Sequence, residues 1–249
     1  MDYHTHNNQN NQTWFLGGSI IFAGIIIAVA VLYAGNIFNP IGNNKQDTET
    51  QNQIASDEET KEILTVRQDD YVWGNPDASV KLFLFSDTEC PYCKQYHMTL
   101  QTIMKTYKDS GKLAVVFRHF PLSIHPRAYK EAEALECAGT LAGNEAFWNY
   151  TDRLFTVTPS NNGLDPVQLP VIAKFIGLNE QAFTTCLNDG AMADRIEKHI
   201  QEGIQIGMNN YGTPYSIVVA PNGKQFPIQG AQGETAVRSI IEKALQATE

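Results

Sequence analysis

An apolar run, VKLFLF (Val80–Phe85), breaks at a polar turn, and two cysteines, Cys90 and Cys93, follow where a helix begins. A second run, LAVVFRHF (Leu113–Phe120), comes after the breaker Asp109-Ser110-Gly111. Each run has the length of a strand, and the stretch between them has the length of a helix. Strands joined by such a crossover lie parallel, because a tight turn joins only antiparallel neighbours. The order strand, turn, Cys-Pro-Tyr-Cys, helix therefore points to an α/β fold with a cysteine pair at a helix amino terminus.

Beyond Phe120 the pattern is helical. PRAYKEAEALECAGTLAG and NEAFWNYTDRLF read as two helices parted at Gly143. Leu169–Phe175, Asn179–Leu187 and Ala191–Met208 give three more, punctuated by Gly177 and Gly190. Two further strands, YSIVVA and KQFPIQG, flank Pro221-Asn222-Gly223, a hairpin signal. Glu234–Gln246 closes the chain as a helix. The element order is βαβ, a helical block, then ββα.

Ahead of all this lies an uncharged apolar segment, Trp14–Ala34. At about 1.5 Å of rise per residue, a helix of that length matches a hydrocarbon core about 30 Å thick. Trp14 and Tyr33 stand at its ends, where amphipathic rings prefer to sit. A cleaved signal peptide would show basic residues before the apolar run and a small-x-small site after it. Residues 1–13 carry no Lys or Arg, and Ala28 and Ala30 lie inside the run. An uncleaved transmembrane anchor over 14–34 is therefore expected behind a short polar amino terminus, 1–13. Residues 35–63 follow as a flexible polar linker, since Asn, Gln, Thr and acidic residues bury too little surface to offset ordering entropy. Its last third has an alternative reading as a solvated helix, with Ser56 and Glu59 as a capping box. Only Lys45 lies near an end of the apolar segment, so charge does not set its orientation.

The formal net charge of −9, from 27 acidic and 18 basic residues, argues against a nucleic-acid partner. Four cysteines are too few for a small scaffold held by disulfides, although an even count permits two bridges. A metal site at Cys90 and Cys93 would need more ligands; His97 is in helical reach, and no fourth donor is near in sequence. A redox pair fits better. The thiolate is the attacking species, and the free N–H groups of a helix amino terminus stabilise it. Pro91 suits the first helical position, where its missing N–H costs nothing. A disulfide this short would restrain little of the unfolded chain, so a purely structural staple is a poor reading. Thr213-Pro214 precedes the strand YSIVVA, where proline can simply mark an edge.

From about Leu64 to the carboxyl terminus, these residues resemble the DsbA-type thiol–disulfide oxidoreductases. GNPDASVKLFLFSDTECPYC, VVFRHFPLSIHPRA, EALECAGTLAGNEAFWNYTDRLF, IGLNEQAFTTCL and GTPYSIVVAPNG carry the resemblance, in the family's order. It implies a thioredoxin fold over 64–249, interrupted by an all-helical insertion at about 125–208. It further implies that Cys90 is the attacking cysteine and Cys93 its buried partner. Pro91 and Tyr92 match the dipeptide that tunes the potential. Pro214 matches a cis-proline beside the cysteines, and Thr213 the residue whose backbone pairs with bound peptide. The chain departs from many members at Leu84, where they carry a strand Glu near the inner thiol, which leaves water, Asp87 or Glu89 to handle protons. An oxidising compartment and the resemblance also imply a structural disulfide between Cys137 and Cys186; two free thiols packed as small hydrophobes remain the alternative.

The expected function is a membrane-tethered, extracytoplasmic oxidoreductase on a single-pass anchor in a prokaryotic cell membrane. Its substrates would be reduced exported proteins or peptides, and a quinone-linked membrane protein would reoxidise it. No cofactor, metal or nucleic acid is called for, and a monomer is expected. A reductase of the same fold and a tethered binding module with an inert disulfide are the alternatives.

Overall fold

The computed structural model describes residues 57–107 and 109–247. The apolar segment 14–34 and the linker up to residue 56 lie outside the described residues. Among the described residues, no helix is long and apolar enough to cross a membrane. Residues Asp57–Ile63, counted above with the polar linker, form helix α1, whose last residue Ile63 is buried together with Leu64.

The sheet has five strands in the order β1-β3-β2-β4-β5. They are β1 (Val72–Gly74), β2 (Val80–Ser86), β3 (Leu113–His119), β4 (Tyr215–Val219) and β5 (Gln225–Gln229). The central strand, β2, runs parallel to β3 from Val80↔Leu113 to Ser86↔His119 and antiparallel to β4 from Lys81↔Val219 to Phe85↔Tyr215. Its side chains alternate between two cores. Val80, Leu82 and Leu84 pack with Leu100, Ile103 and Ile241, while Phe83 and Phe85 pack with Val116, Ile217 and Met208. Because both faces are covered, Leu82–Phe85 reads as a continuous apolar run rather than an alternating one.

Helix α2 (Pro91–Tyr107) makes the crossover from β2 to β3. Between β3 and β4 the chain inserts α3 (Ala128–Val157), α4 (Gln168–Phe175), α5 (Glu180–Asp189) and α6 (Ala193–Gln205), and α7 (Glu234–Gln246) closes the fold. The architecture is a mixed α/β thioredoxin-like fold with a helical insertion. Helix α3 is two helices running on from one another: Ala142 and Gly143 leave helical geometry, and Gly143 has φ 81°. That break turns Asn144 onto strand β1, where its side chain accepts from the Val72 amide (2.7 Å) and donates to the Val72 carbonyl (2.8 Å). Within the insertion, Cys137 of α3 and Cys186 of α5 are joined as a disulfide.

One end of β3 is polar and buried. Arg118 donates from Nη2 to Asp70 Oδ2 (2.9 Å), and Arg67 pairs with Glu202 beside it. His119 Nε2 lies 2.8 Å from Glu136 Oε1. These pairings tie β3 to α3, α6 and the segment before β1, so the insertion is fixed to the sheet by charge as well as by packing.

Candidate active site

Strand β2 ends at Ser86, and a tight turn carries the chain into α2. The Cys90 amide donates to the Asp87 carbonyl (3.2 Å), and the Cys90 carbonyl accepts from Lys94 N–H (3.1 Å). Cys90 thus stands at the helix cap, Pro91 is the first helical residue and Cys93 lies in the first turn. The pair is in the dithiol form. Across from it the Thr213–Pro214 peptide bond is cis, and Cys90 Sγ lies 3.5 Å from the Thr213 carbonyl oxygen. Phe155 of α3 packs against both cysteines.

Both cysteines are buried, Cys90 keeping 4% of its surface and Cys93 1%, and Cys93 is the more deeply enclosed. Chemistry separates them further. The Cys90 thiol is pulled down to about 6, first by the hydrogen bond from Cys93 and then, against the opposing effect of burial, by helix amide groups. Burial, followed by the Cys90 partner, pushes the Cys93 thiol well up. The pair therefore holds one ready nucleophile and one sulfur that keeps its proton. Tyr92, between them, is 63% exposed and presents an aromatic surface beside the nucleophile.

Leu84 is buried in the core that α2 covers. Neither of the carboxylates suggested as its substitute takes that place directly. It is the amide of Asp87, not its carboxylate, that donates to Cys93 Sγ (3.4 Å). The Asp87 carboxylate is buried and accepts from the Glu89 amide (2.7 Å) and the Leu122 amide (2.8 Å), with His125 Nδ1 at 2.8 Å. Burial raises its pKa, and these donors lower it in part.

Glu89 faces another carboxyl, Glu131 of α3, which is pushed up to about 9 by burial and then by its hydrogen bond with Glu89. A loop with three successive left-handed residues, Ser160, Asn161 and Asn162, clasps Glu89. The Asn161 amide donates to the Glu89 carbonyl (2.7 Å) and the Gly163 amide to its Oε2 (3.2 Å). Such conformations cost about 1–3 kcal/mol each for residues other than glycine, so surrounding contacts must hold the loop in place.

Helix α2 is also tied to the end of α3. Lys94 Nζ donates to the Thr158 carbonyl (2.6 Å), and His97 Nε2 lies 2.6 Å from Asp152 Oδ1. These ties flank Phe155 and seat it over the dithiol. His125, Glu131, Phe155 and Thr158 have no part in the sequence reading of the site. The one hint is the HP step in VVFRHFPLSIHPRA, which marks a turn but not what the turn touches.

Among the described residues, His119, Glu136 and His199 stand close enough to share a metal ion. The donors are already engaged. Glu136 Oε2 lies 2.9 Å from Arg195 Nε, and His199 Nδ1 accepts from the His119 amide (3.3 Å). Arg118, Arg195 and Arg67 crowd the same space with positive charge. The cluster is a buried hydrogen-bonded network. A groove lined by Lys61, Leu64, Lys81, Val219 and Pro221 lies at the start of β2, the end opposite the cysteines.

A family model described as Thioredoxin matches residues 66–243. The Na(+)/H(+) antiporter NhaA 1 of Mycolicibacterium gilvum (strain PYR-GCK) is 41% identical over 88 residues, covering 35% of this chain and 14% of the antiporter. The "Probable disulfide bond formation protein D" of Bacillus anthracis is 28% identical over 137 residues, 53% of this chain and 55% of that protein. Among solved structures, Pseudomonas aeruginosa DsbA2 is similar, with a TM-score of 0.59 at 26% identity over 72% of this chain and 96% of that one. The chain thus spans a small part of the antiporter and about half of the Bacillus protein.

Proposed function

Because the chain belongs to the thioredoxin family, we propose that it is a DsbA-type thiol–disulfide oxidoreductase that oxidises cysteine pairs of exported proteins. The observation that carries this reading is the inequality of the two sulfurs, Cys90 pulled down to about 6 and Cys93 pushed well up. In the oxidising direction a substrate thiolate attacks Cys90 Sγ of the Cys90–Cys93 disulfide. The S–S bond breaks, and its electron pair leaves with Cys93 Sγ, which takes up a proton. A second substrate thiolate then attacks the substrate sulfur of the mixed disulfide and expels Cys90 as a thiolate. The substrate leaves oxidised and the pair is left as a dithiol. A stable Cys90 thiolate favours that product, which is what makes a dithiol–disulfide couple oxidising. Thr213 and Pro214 would form the edge along which substrate backbone lies, with Pro91 and Tyr92 setting the reactivity of the pair. The Cys137–Cys186 bridge would be structural.

The setting is part of the proposal. Residues 14–34 would anchor the chain in a prokaryotic cell membrane, behind residues 1–13, and the polar stretch from 35 would tether a catalytic domain, 64–249, with its helical insertion at about 125–208. Disulfide formation needs an oxidising compartment, so the domain would lie outside the cytoplasm. Reoxidation of the dithiol would fall to a quinone-linked membrane protein, near which the anchor would keep it. Support comes from the uncharged apolar segment and from the chemistry of the pair.

The test is the reduction potential of the purified full-length chain, equilibrated with glutathione. An oxidant should lie nearer the about −120 mV of DsbA than the about −270 mV of thioredoxin. A value at the thioredoxin end would make the protein a reductase, and failure to exchange with any dithiol would make it an inert binding module. The tether is tested by adding protease to intact, wall-stripped cells: release of a soluble domain supports it, and protection refutes it.

A further inference from the structure

The turn that carries the cysteines is held from a place the proposed exchange does not use. Asp87 meets both cysteines through its own backbone: its carbonyl accepts from the Cys90 amide and its amide donates to the Cys93 sulfur. What fixes that backbone is its carboxylate, and the carboxylate reaches His125 on the loop between β3 and α3. We propose that His125 is a positioning residue of the dithiol chemistry, which by gripping the Asp87 side chain aims the Asp87 amide at the departing Cys93 sulfur. The inference rests on the thiol–disulfide reading above.

An ionised carboxylate only accepts, and both Asp87 oxygens also take amide hydrogens, one from Glu89 and one from Leu122, so Nδ1 of His125 is the nitrogen that donates. A buried carboxylate stays ionised only while its donors replace the water it has lost. With the imidazole removed, the buried group shifts toward its neutral acid, and an oxygen that carries a proton is a poorer acceptor for the amides at hand. The Asp87 side chain then loses its grip on the turn, and the amide drifts from Cys93. When the Cys90–Cys93 bond opens, its electron pair goes to Cys93 Sγ in a site where burial disfavours charge. The Asp87 amide and the Ser86 hydroxyl are the donors that face this sulfur. A thiol or thiolate accepts a hydrogen bond better than a disulfide sulfur, so the amide favours the opened, reduced form. His125 would thus act on the equilibrium and on the rate of opening without touching substrate.

The test uses the full-length chain with His125→Ala, His125→Gln and His125→Asn. An asparagine amide falls near the position of Nδ1, whereas a glutamine amide falls nearer Nε2, so Asn can restore the bond to Asp87 and Gln cannot. The readouts are the equilibrium constant with glutathione and the rate at which a reduced dithiol peptide opens the disulfide. Loss of one hydrogen bond of ordinary worth corresponds to about a fivefold change in either constant. Ala and Gln should shift the equilibrium toward the disulfide and slow opening by about that factor. Asn should return both constants to within about twofold of the wild type. If Ala does not fold, the Gln and Asn pair carries the same comparison. Equal constants in all three variants overturn the inference, as does Asn failing equally with Gln, which would reduce His125 to a filler of space. A wild-type chain that exchanges no disulfide would overturn the functional reading itself and this inference with it.

Discussion

Cys90 and Thr213 meet across the site, the sulfur of one 3.5 Å from the carbonyl oxygen of the other. The thiol can donate to that carbonyl only while it keeps its proton. As a thiolate, or bonded to another sulfur, Cys90 leaves the Thr213 carbonyl open to a new donor. A substrate amide would find that acceptor free at the stage when the substrate is attached.

Alkylation of Cys90 should follow its thiolate. The thiol ionises at about 6, so the rate with iodoacetamide should rise through that pH and be nearly flat by neutrality. Cys90→Ser should end exchange, while Cys93→Ser should accumulate mixed disulfides with substrate because no inner thiol remains to release them. A reactivity midpoint near the ordinary cysteine value, or adducts forming on Cys93 in the Cys90→Ser chain, would reverse the assignment.

Glu131→Gln should make the protein more stable at alkaline pH. The folded-state pKa, about 9, lies above the ordinary carboxyl value of 4.5, so the native state binds this proton more tightly than the unfolded chain does. The stability it contributes is complete below the unfolded pKa and is lost as the pH rises through the folded one. Glutamine is neutral throughout. Urea midpoints should therefore agree at pH 4 and diverge in favour of the variant by pH 9, and a constant gap would contradict the shared-proton pairing with Glu89.

Asp70→Ala should be costly. It strips the fully buried guanidinium of Arg118 of its nearest carboxylate, and breaking such a buried pair costs about 3–5 kcal/mol. Thermal and urea unfolding should both register the loss. A change under about 1 kcal/mol would mean that water or Glu202 takes over the charge.

Removing the Cys137–Cys186 bridge should weaken the fold and spare the chemistry. The two cysteines are 49 residues apart, and closing a loop of that size stabilises by about 4 kcal/mol in the chain-entropy model, an upper figure. The double Ala variant should melt at lower temperature, yet its exchange rate per folded molecule should match the parent. A selective loss of rate at a temperature where the variant is fully folded would tie the bridge to catalysis.

The parts legible in the sequence are those whose pattern is local. Strand β2 is apolar without a break from Leu82 to Phe85 because both its faces are buried there, and the turn, proline and cysteines that follow it spell out a helix start. Strand β1 has only three residues, Val72–Gly74, and no period to read; it exists because β3 has an edge to pair and Asn144 completes its hydrogen bonds. Glu131, Glu133 and Glu136 of α3 are all buried. Glu133 pairs within the helix, with Lys130 three residues earlier, but Glu89, the partner of Glu131, and His119 and Arg195, the partners of Glu136, come from distant segments that no spacing within the helix announces. His125 is hidden for the same reason: its importance lies in Asp87, 38 residues earlier.

The sheet order places the strand that delivers the cysteines in the middle, with β3 on one side and β4 on the other. Backbone amides of β2 can meet solvent only if a neighbouring strand is stripped away, so their hydrogen exchange should be limited by opening of the whole domain. Edge strands β1 and β5 can fray without disturbing them. The strand end that presents the thiol pair then lasts as long as the fold, so the proposed exchange between bonded and unbonded sulfurs would take place on a mount that does not loosen with each turn.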